Sequence, residues 1–270
     1  MKKTLQIANI IAFIITLYFN YASSAGVFND MTQADMSNTY QTLFTPAGYA
    51  FSIWGLIYLL LFGFIVYQSR SLFGSVRDDS VILKTGWWFV LSCAANSVWC
   101  YLFVSEMVLA SVAVIFLLLF CLLKIVVRNR MELDDEPISV IVFVWWPFVI
   151  YSGWLTVACI ANVATYLVKI DWNGFGISPV TWTLFMIGIA TSINLIITWK
   201  RNMREFALVG AWALIAIAVA NWDSNEVLKL SAVVAAAILV VSSSVHAFKN
   251  RATNPAVKCL EYFKKTNIEN

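Results

Sequence analysis

Three groups of residues stand at spacings that place them on common helix faces. Trp54 and Tyr58 lie four apart in Phe44-Thr-Pro-Ala-Gly-Tyr-Ala-Phe-Ser-Ile-Trp-Gly-Leu-Ile-Tyr58, so on a helix their rings share one side. Ser92, Asn96, Trp99 and Phe103 step by four, three and four, which makes a single stripe. Trp154 and Asn162 share a third apolar segment. An indole offers a flat apolar face and one donor, and an asparagine amide offers two donors and an acceptor. The combination suits a large, flat, mostly apolar molecule with polar edges, held by stacking and a few hydrogen bonds. Each residue also has a plain structural use. Asparagine within a membrane ties helices together, and tryptophan near a helix end sits in the interfacial belt. From the residues alone, pocket and packing readings of Trp54, Trp99 and Trp154 stand even.

Other chemistry is poorly supplied. No Asp, Glu or Arg falls in the middle of an apolar run, where pumps and proton-coupled carriers place them. The Ser and Cys residues of these runs have no neighbouring His or carboxylate to activate them, and no Gly-rich phosphate loop is present. Cys93, Cys100, Cys121, Cys159 and Cys259 show no CxxC spacing, so neither a metal site nor a disulfide framework is expected. The single histidine, His246, lies near the end of the last apolar run and reads as an interfacial residue.

The elements that must position these residues follow from composition. The 270 residues are 61% hydrophobic and 12% charged, with 12 Trp; soluble domains are about half apolar and a quarter charged. Eight runs approach the roughly 20 residues that cross about 30 Å of hydrocarbon, at about 5–25, 48–68, 86–104, 107–127, 138–168, 180–199, 206–222 and 228–248. The expected fold is all-α, a polytopic transmembrane bundle of about eight helices, with a bend at Pro147 in the over-long fifth run. The fourth run is aliphatic without evident polar handles and reads as lipid-facing or sealing. With the N-terminus inside, all of the 18 Lys and Arg except Lys169 and Lys229 fall on the inner side. That asymmetry predicts both termini cytoplasmic, in the inner plasma membrane if the chain is bacterial. Met1-Lys-Lys, an apolar run and Ala22-Ser-Ser-Ala25 also have the outline of a cleaved secretory signal, but the charge pattern favours a retained first helix. The net charge of +3 belongs to the inner loops, and no nucleic-acid partner is expected. Residues 26–45 form a long outer loop with no Lys or Arg, read as a lid or as a tolerated surface loop. Glu132, Asp134, Asp135 and Glu136 read as a solvated face.

Taken together, the three segments resemble the translocator protein/tryptophan-rich sensory protein (TspO/MBR) family. The family's proline-led entry to helix two and its Trp-x-x-Leu-Tyr element are similar to Thr45-Pro46 and Trp54-Gly-Leu-Ile-Tyr58. Its third-helix pattern matches Asn96, Trp99 and Phe103, with Ser92 in place of a glutamine, and its fifth-helix Trp and Asn match Trp154 and Asn162. Ser52 stands where the family has a second proline, and Pro147 precedes Trp154 by seven residues instead of four. The resemblance implies a five-helix core over 1–170, three additional helices over 171–249, and a basic cytoplasmic tail over 250–270. It implies ligand contacts from Trp54, Tyr58, Asn96, Trp99, Phe103, Trp154 and Asn162. The ligand would be a tetrapyrrole such as protoporphyrin IX or haem, or a sterol-like molecule, with no cofactor required. Members are often homodimers, and catalysis is not expected beyond weak porphyrin oxidation, for which Trp154 would be the redox-active side chain. The rival readings are a small-molecule transporter that uses Asn194 in the added helices and a membrane scaffold.

Overall fold

The computed structural model describes residues 1–74 and 80–250. Backbone polar groups cannot be left open in hydrocarbon, so a chain this apolar must satisfy them within helices or a closed barrel, and every regular element among the described residues is helical. In chain order these are α1 (Lys2–Ser24), the short α2 (Gln33–Thr39), a 3₁₀ turn (Gly48–Ser52) leading into α3 (Ile53–Phe73), the short α4 (Ser80–Thr85), α5 (Trp88–Val104), α6 (Val108–Arg128), a single turn α7 (Ile138–Val140), α8 (Trp146–Lys169), α9 (Pro179–Arg201), α10 (Arg204–Ala220) and α11 (Glu226–Lys249). Six segments are long and apolar enough to cross a membrane: Lys2–Ser24, Gly48–Phe73, Val108–Arg128, Ile138–Lys169, Pro179–Arg201 and Glu226–Lys249. Two more apolar helices, α5 and α10, have 17 residues each, the lower limit of a span at about 1.5 Å per residue. The chain is an integral, multi-pass membrane protein. The connection at 75–79 and most of the expected tail, 251–270, lie outside the described residues.

Local signals set the helix ends. Pro179 occupies the first turn of α9, and the Ser178 side chain accepts from Thr181 N. Asn225 caps α11 by accepting from Leu228 N. The fifth run is disturbed one turn earlier than expected: Ile141–Trp145 winds as a π-helix directly before Pro147. A proline ring clashes with the carbonyl four residues back, which here belongs to Phe143, and the widened turn accommodates it.

The α5–α6 hairpin packs on α8, α1 packs on α5 and α3, and α9, α10 and α11 pack together. The two groups meet along α8, which touches α3, α6, α9 and α10. One buried apolar cluster runs from Phe13 on α1 to Leu239 on α11, so the C-terminal helices share the core of the first five. The first helix is part of that core as well. Asn9 Nδ2 donates to Gln68 Oε1 at 2.9 Å, Gln6 Nε2 to Gln68 O at 2.6 Å and Thr16 Oγ1 to Cys93 O at 3.1 Å.

At the end of the bundle that carries most of the described basic residues, two expectations need correction. Glu132 is buried, not solvated, and its carboxylate lies 3.9 Å from the equally buried Arg204 guanidinium. His246 is buried against the Trp199 ring, 5.2 Å away, with Nε2 at 3.2 Å from Asn202 Oδ1. Both follow from the α9–α10 turn, whose Asn202 and Arg204 reach Glu132 and whose Asn202, with Trp199, covers His246 on α11, burying groups that sequence alone leaves at a helix end.

The closest backbone-to-backbone approach at a glycine is at Gly153 on α8. A Cβ there would meet Phe206 O at 3.0 Å and Phe206 Cα at 3.2 Å, both backbone atoms of α10. Small residues allow such approach without a hydrophobic drive between helices. Gly153→Val is expected to force α8 and α10 apart and cost about 1–3 kcal/mol, read as a lower thermal-unfolding midpoint in detergent. An unchanged midpoint would refute this account of the α8–α10 seam.

Candidate functional site

The site begins where the loop turns into α3. Thr42 and Thr45 lock the turn, with hydroxyls 3.1 Å apart and Thr42 N donating to Thr45 Oγ1 at 3.0 Å. Pro46 follows, and the next amide, Ala47 N, donates to Ala216 O of α10 at 3.0 Å. Trp212 Nε1 donates to Ala50 O at 3.3 Å and Asn221 Nδ2 to Leu43 O at 3.0 Å. Helix α10 therefore holds the entry segment on both sides of Pro46. The loop itself carries α2, started by a capping box in which Thr32 and Asp35 satisfy each other's backbone amides. Met36 and Phe44 are fully buried. The loop is a packed roof, not a tolerated excursion.

Beneath it the aromatic rings converge on Trp54. Tyr58 stacks on Trp54 at 5.7 Å and 15° between planes, while Trp99 (6.3 Å), Tyr151 (5.6 Å) and Trp154 (6.3 Å) surround it. Phe103 stacks on Trp99 at 5.2 Å, and Phe51 meets Trp154 edge-on at 6.2 Å. The stripe on α5 is buried throughout, from Ser92 to Phe103.

The asparagines hold these rings in place. Trp99 Nε1 donates to Asn162 Oδ1 at 2.8 Å, and Asn162 Nδ2 donates to Ser111 Oγ at 3.0 Å. Helix α6, expected to lack polar handles, thus supplies one. Asn20 Nδ2 donates to Asn96 Oδ1 at 2.6 Å, and Asn96 Nδ2 donates to the Tyr151 hydroxyl. Two polar atoms in the cluster are left over. Trp154 Nε1 is buried without a hydrogen-bond partner, and the Tyr58 hydroxyl lies buried near Asn96 without hydrogen-bonding geometry.

Two cavities flank Trp54. The smaller, about 60 Å³, is bounded by Trp54, Trp99, Phe103, Trp154 and Asn162 under Pro46. The larger, about 480 Å³, opens between α1 and α3 and touches Trp54, Tyr58, Asn20 and Ser24. Gln33, Phe51 and Trp54 border both and form the partition. Six of the seven residues singled out from sequence therefore line cavities. Asn96 borders neither and instead positions Tyr151. Sequence reasoning did not select Tyr151 or Phe51, although each stands three residues before a chosen tryptophan and so shares its face. Gln33, Asn20 and Ser111 carried no such signal. Asn194 lines none of the cavities described here; it is fully buried against Gly210, where a Cβ would meet its side chain at 2.5 Å.

The roof is tied down by one ionic knot. The Tyr40 hydroxyl donates to Glu106 Oε2 at 2.7 Å, and Lys169 Nζ meets the same oxygen at 2.9 Å. This joins the loop, the α5–α6 turn and the end of α8. The hydrogen bond from Lys169, then that from Tyr40, hold the Glu106 carboxyl below the usual carboxylate range.

Because the folded value is depressed, the knot's contribution is present above the ordinary carboxylate value and is lost as pH falls through the folded one. Faster hydrogen exchange in residues 33–45 is expected on acidification below that range, and Glu106→Gln is expected to abolish this pH dependence; an identical profile in the variant would exclude the knot as the latch. Asn162→Leu leaves the buried Trp99 Nε1 without its acceptor, expected to cost about 1–3 kcal/mol of stability with a shift in tryptophan emission. A variant as stable as wild type, with unchanged emission, would remove Asn162 from this positioning role.

A family model described as TSPO-like protein matches residues 6–245, which includes α9 and α10 and most of α11. No curated protein and no solved structure matches the chain.

Proposed function

Because the chain belongs to the TSPO-like protein family, we propose that it is a membrane-embedded binding or sensory protein for a planar apolar ligand, seated where Trp54 now divides two cavities. The family supports the broader ligand-binding or sensory role. The narrower reading names a tetrapyrrole such as protoporphyrin IX or haem, or a sterol-like molecule. The observation that carries it is the partition. A cavity of about 60 Å³ holds no such ligand, but turning Trp54 and Phe51 aside joins it to the 480 Å³ space. The joined volume falls within the range of about 300–1,000 Å³ usual for small-molecule pockets.

The chemistry of the walls fits a flat ring system. Trp99, Trp154 and Trp54 present faces for stacking, and the unpaired Trp154 indole N–H supplies a donor for one polar edge. The hydrogen-bonded asparagines fix the rings rather than grip the ligand. Orientation follows the basic residues, with both termini cytoplasmic and the roofed end outside. No catalytic step is needed for this role; if bound porphyrin is oxidised, Trp154 is the side chain placed to take part.

Titration of the purified protein with protoporphyrin IX, followed by tryptophan quenching, tests the reading. Saturable binding is expected, weakened by about 1–3 kcal/mol in Trp99→Ala and measurably in Trp154→Phe. Absent binding, or binding unaffected by both substitutions, would assign the cluster to packing.

A further inference from the structure

A cavity of about 720 Å³ lies away from Trp54, between the loop residues 41–45, the end of α8, the start of α9 and the end of α10. We propose that it is a second binding site, for a neutral amphipathic molecule with an apolar body and one hydroxyl or carbonyl group. This goes beyond the aromatic-pocket reading and does not depend on it.

The site is built rather than left over. Gly174 is left-handed (φ +67°), and a Cβ on it would meet Trp182 Nε1 at 3.1 Å. That close approach lets Trp182 Nε1 donate to Gly174 O at 2.9 Å, pinning the ring on the cavity wall beside Trp172, 5.1 Å away. Across the cavity, the Asn221 amide that holds Leu43 O also donates to Ile217 O at 2.9 Å. Leu167, Val168, Ile177 and Met186 supply the apolar wall.

Charge selects the ligand class. No Lys, Arg, His, Asp or Glu is among the described residues lining the cavity. A carboxylate or phosphate would lose its hydration there without a counter-charge, which disfavours ionised ligands and phospholipid headgroups. Most of the polar lining is committed to the protein: Trp182 Nε1 and the Asn221 amide as above, Thr183 Oγ1 to Pro179 O at 2.9 Å, Thr42 with Thr45, and Asn173 Oδ1 accepting from Phe175 N at 3.0 Å. That leaves mainly the exposed side chains of Gln41 and Ser224 to meet a polar group. Few hydrogen bonds remain to be offered, so an occupant with a single small polar group is matched and a polyol is not. Trp182, whose N–H is used, contributes only its face.

The experiment is photolabelling of the full-length protein in phosphatidylcholine nanodiscs. The probes are a diazirine-bearing hexadecanol and the same chain ending in a carboxylate, with labelled peptides located by mass spectrometry. The expected result is saturable labelling of residues 164–186 and 216–224 by the alcohol, about tenfold stronger than by the acid at equal concentration. Filling the cavity with Ala220→Trp, or with the milder Thr183→Leu should the first variant not fold, is expected to cut this labelling about tenfold. The porphyrin titration should stay as in wild type. Excess unlabelled hexadecanol competing from the aqueous phase would mark a free-ligand site, whereas labelling that responds only to the membrane mole fraction would mark loading from the bilayer; both support the site. Labelling that is unsaturable, equal for alcohol and acid, or undiminished by the filling variants overturns it.

Discussion

A buried polar group in hydrocarbon must find its partner inside the protein, and the asparagine amides of this bundle meet that demand in a way that fixes the rest. Asn162 accepts from Trp99 and donates to Ser111, which ties α8 to α5 and α6. Asn96 accepts from Asn20 and donates to Tyr151, which ties α5 to α1 and α8. Two short chains thereby join four helices and set the azimuth of Trp99 and Tyr151. Both rings then bear on Trp54. The aromatic cluster follows from these amides, and α1 cannot be removed without taking the Asn20 donor from Asn96 Oδ1.

The C-terminal helices act on the same cluster from behind. α10 has no residue in either Trp54 cavity, yet it holds the backbone at Leu43, Ala47 and Ala50, one turn before the Trp54 ring. Gly153 brings α10 against α8 closely enough for that grip. The family match through residue 245 accords with this: α9–α11 share the core, and α10 braces the entry segment.

Much of this was legible in the sequence for a physical reason. Aromatic and amide residues at three- and four-residue spacing within apolar runs must share helix faces, so Trp54 with Tyr58 and the Asn96–Trp99–Phe103 stripe could be placed without coordinates. Spacing does not say whether an amide is turned to a ligand or to a neighbouring indole, and so Asn162 and Asn96 were grouped with the ligand contacts when their amides are spent on Trp99 and Tyr151. Ser111 was invisible because one hydroxyl in an aliphatic helix has no periodicity. Glu132 was misjudged because an acid among acids looks solvated until a distant arginine, Arg204, folds over it. Spacing also says nothing of Trp182, whose ring the Gly174 turn sets against a cavity.

The partition at Trp54 also sets what a ligand must supply. Swinging the ring aside gives up contacts with Trp99, Tyr151 and Trp154, each worth about 0.5–1.5 kcal/mol beyond area burial, for a total of about 2–4 kcal/mol. A ligand that binds only the opened state sees its affinity reduced by the fraction of molecules open. Small apolar molecules fit beside the closed ring and gain nothing from opening it. A rigid ring system that buries about 300 Å² of apolar surface recovers roughly 7 kcal/mol, enough to exceed the opening cost. On the proposed reading, selectivity for large flat ligands would arise from the cost of breaking an aromatic cluster that the asparagines hold together, with no hydrogen bond needed from those amides to the ligand.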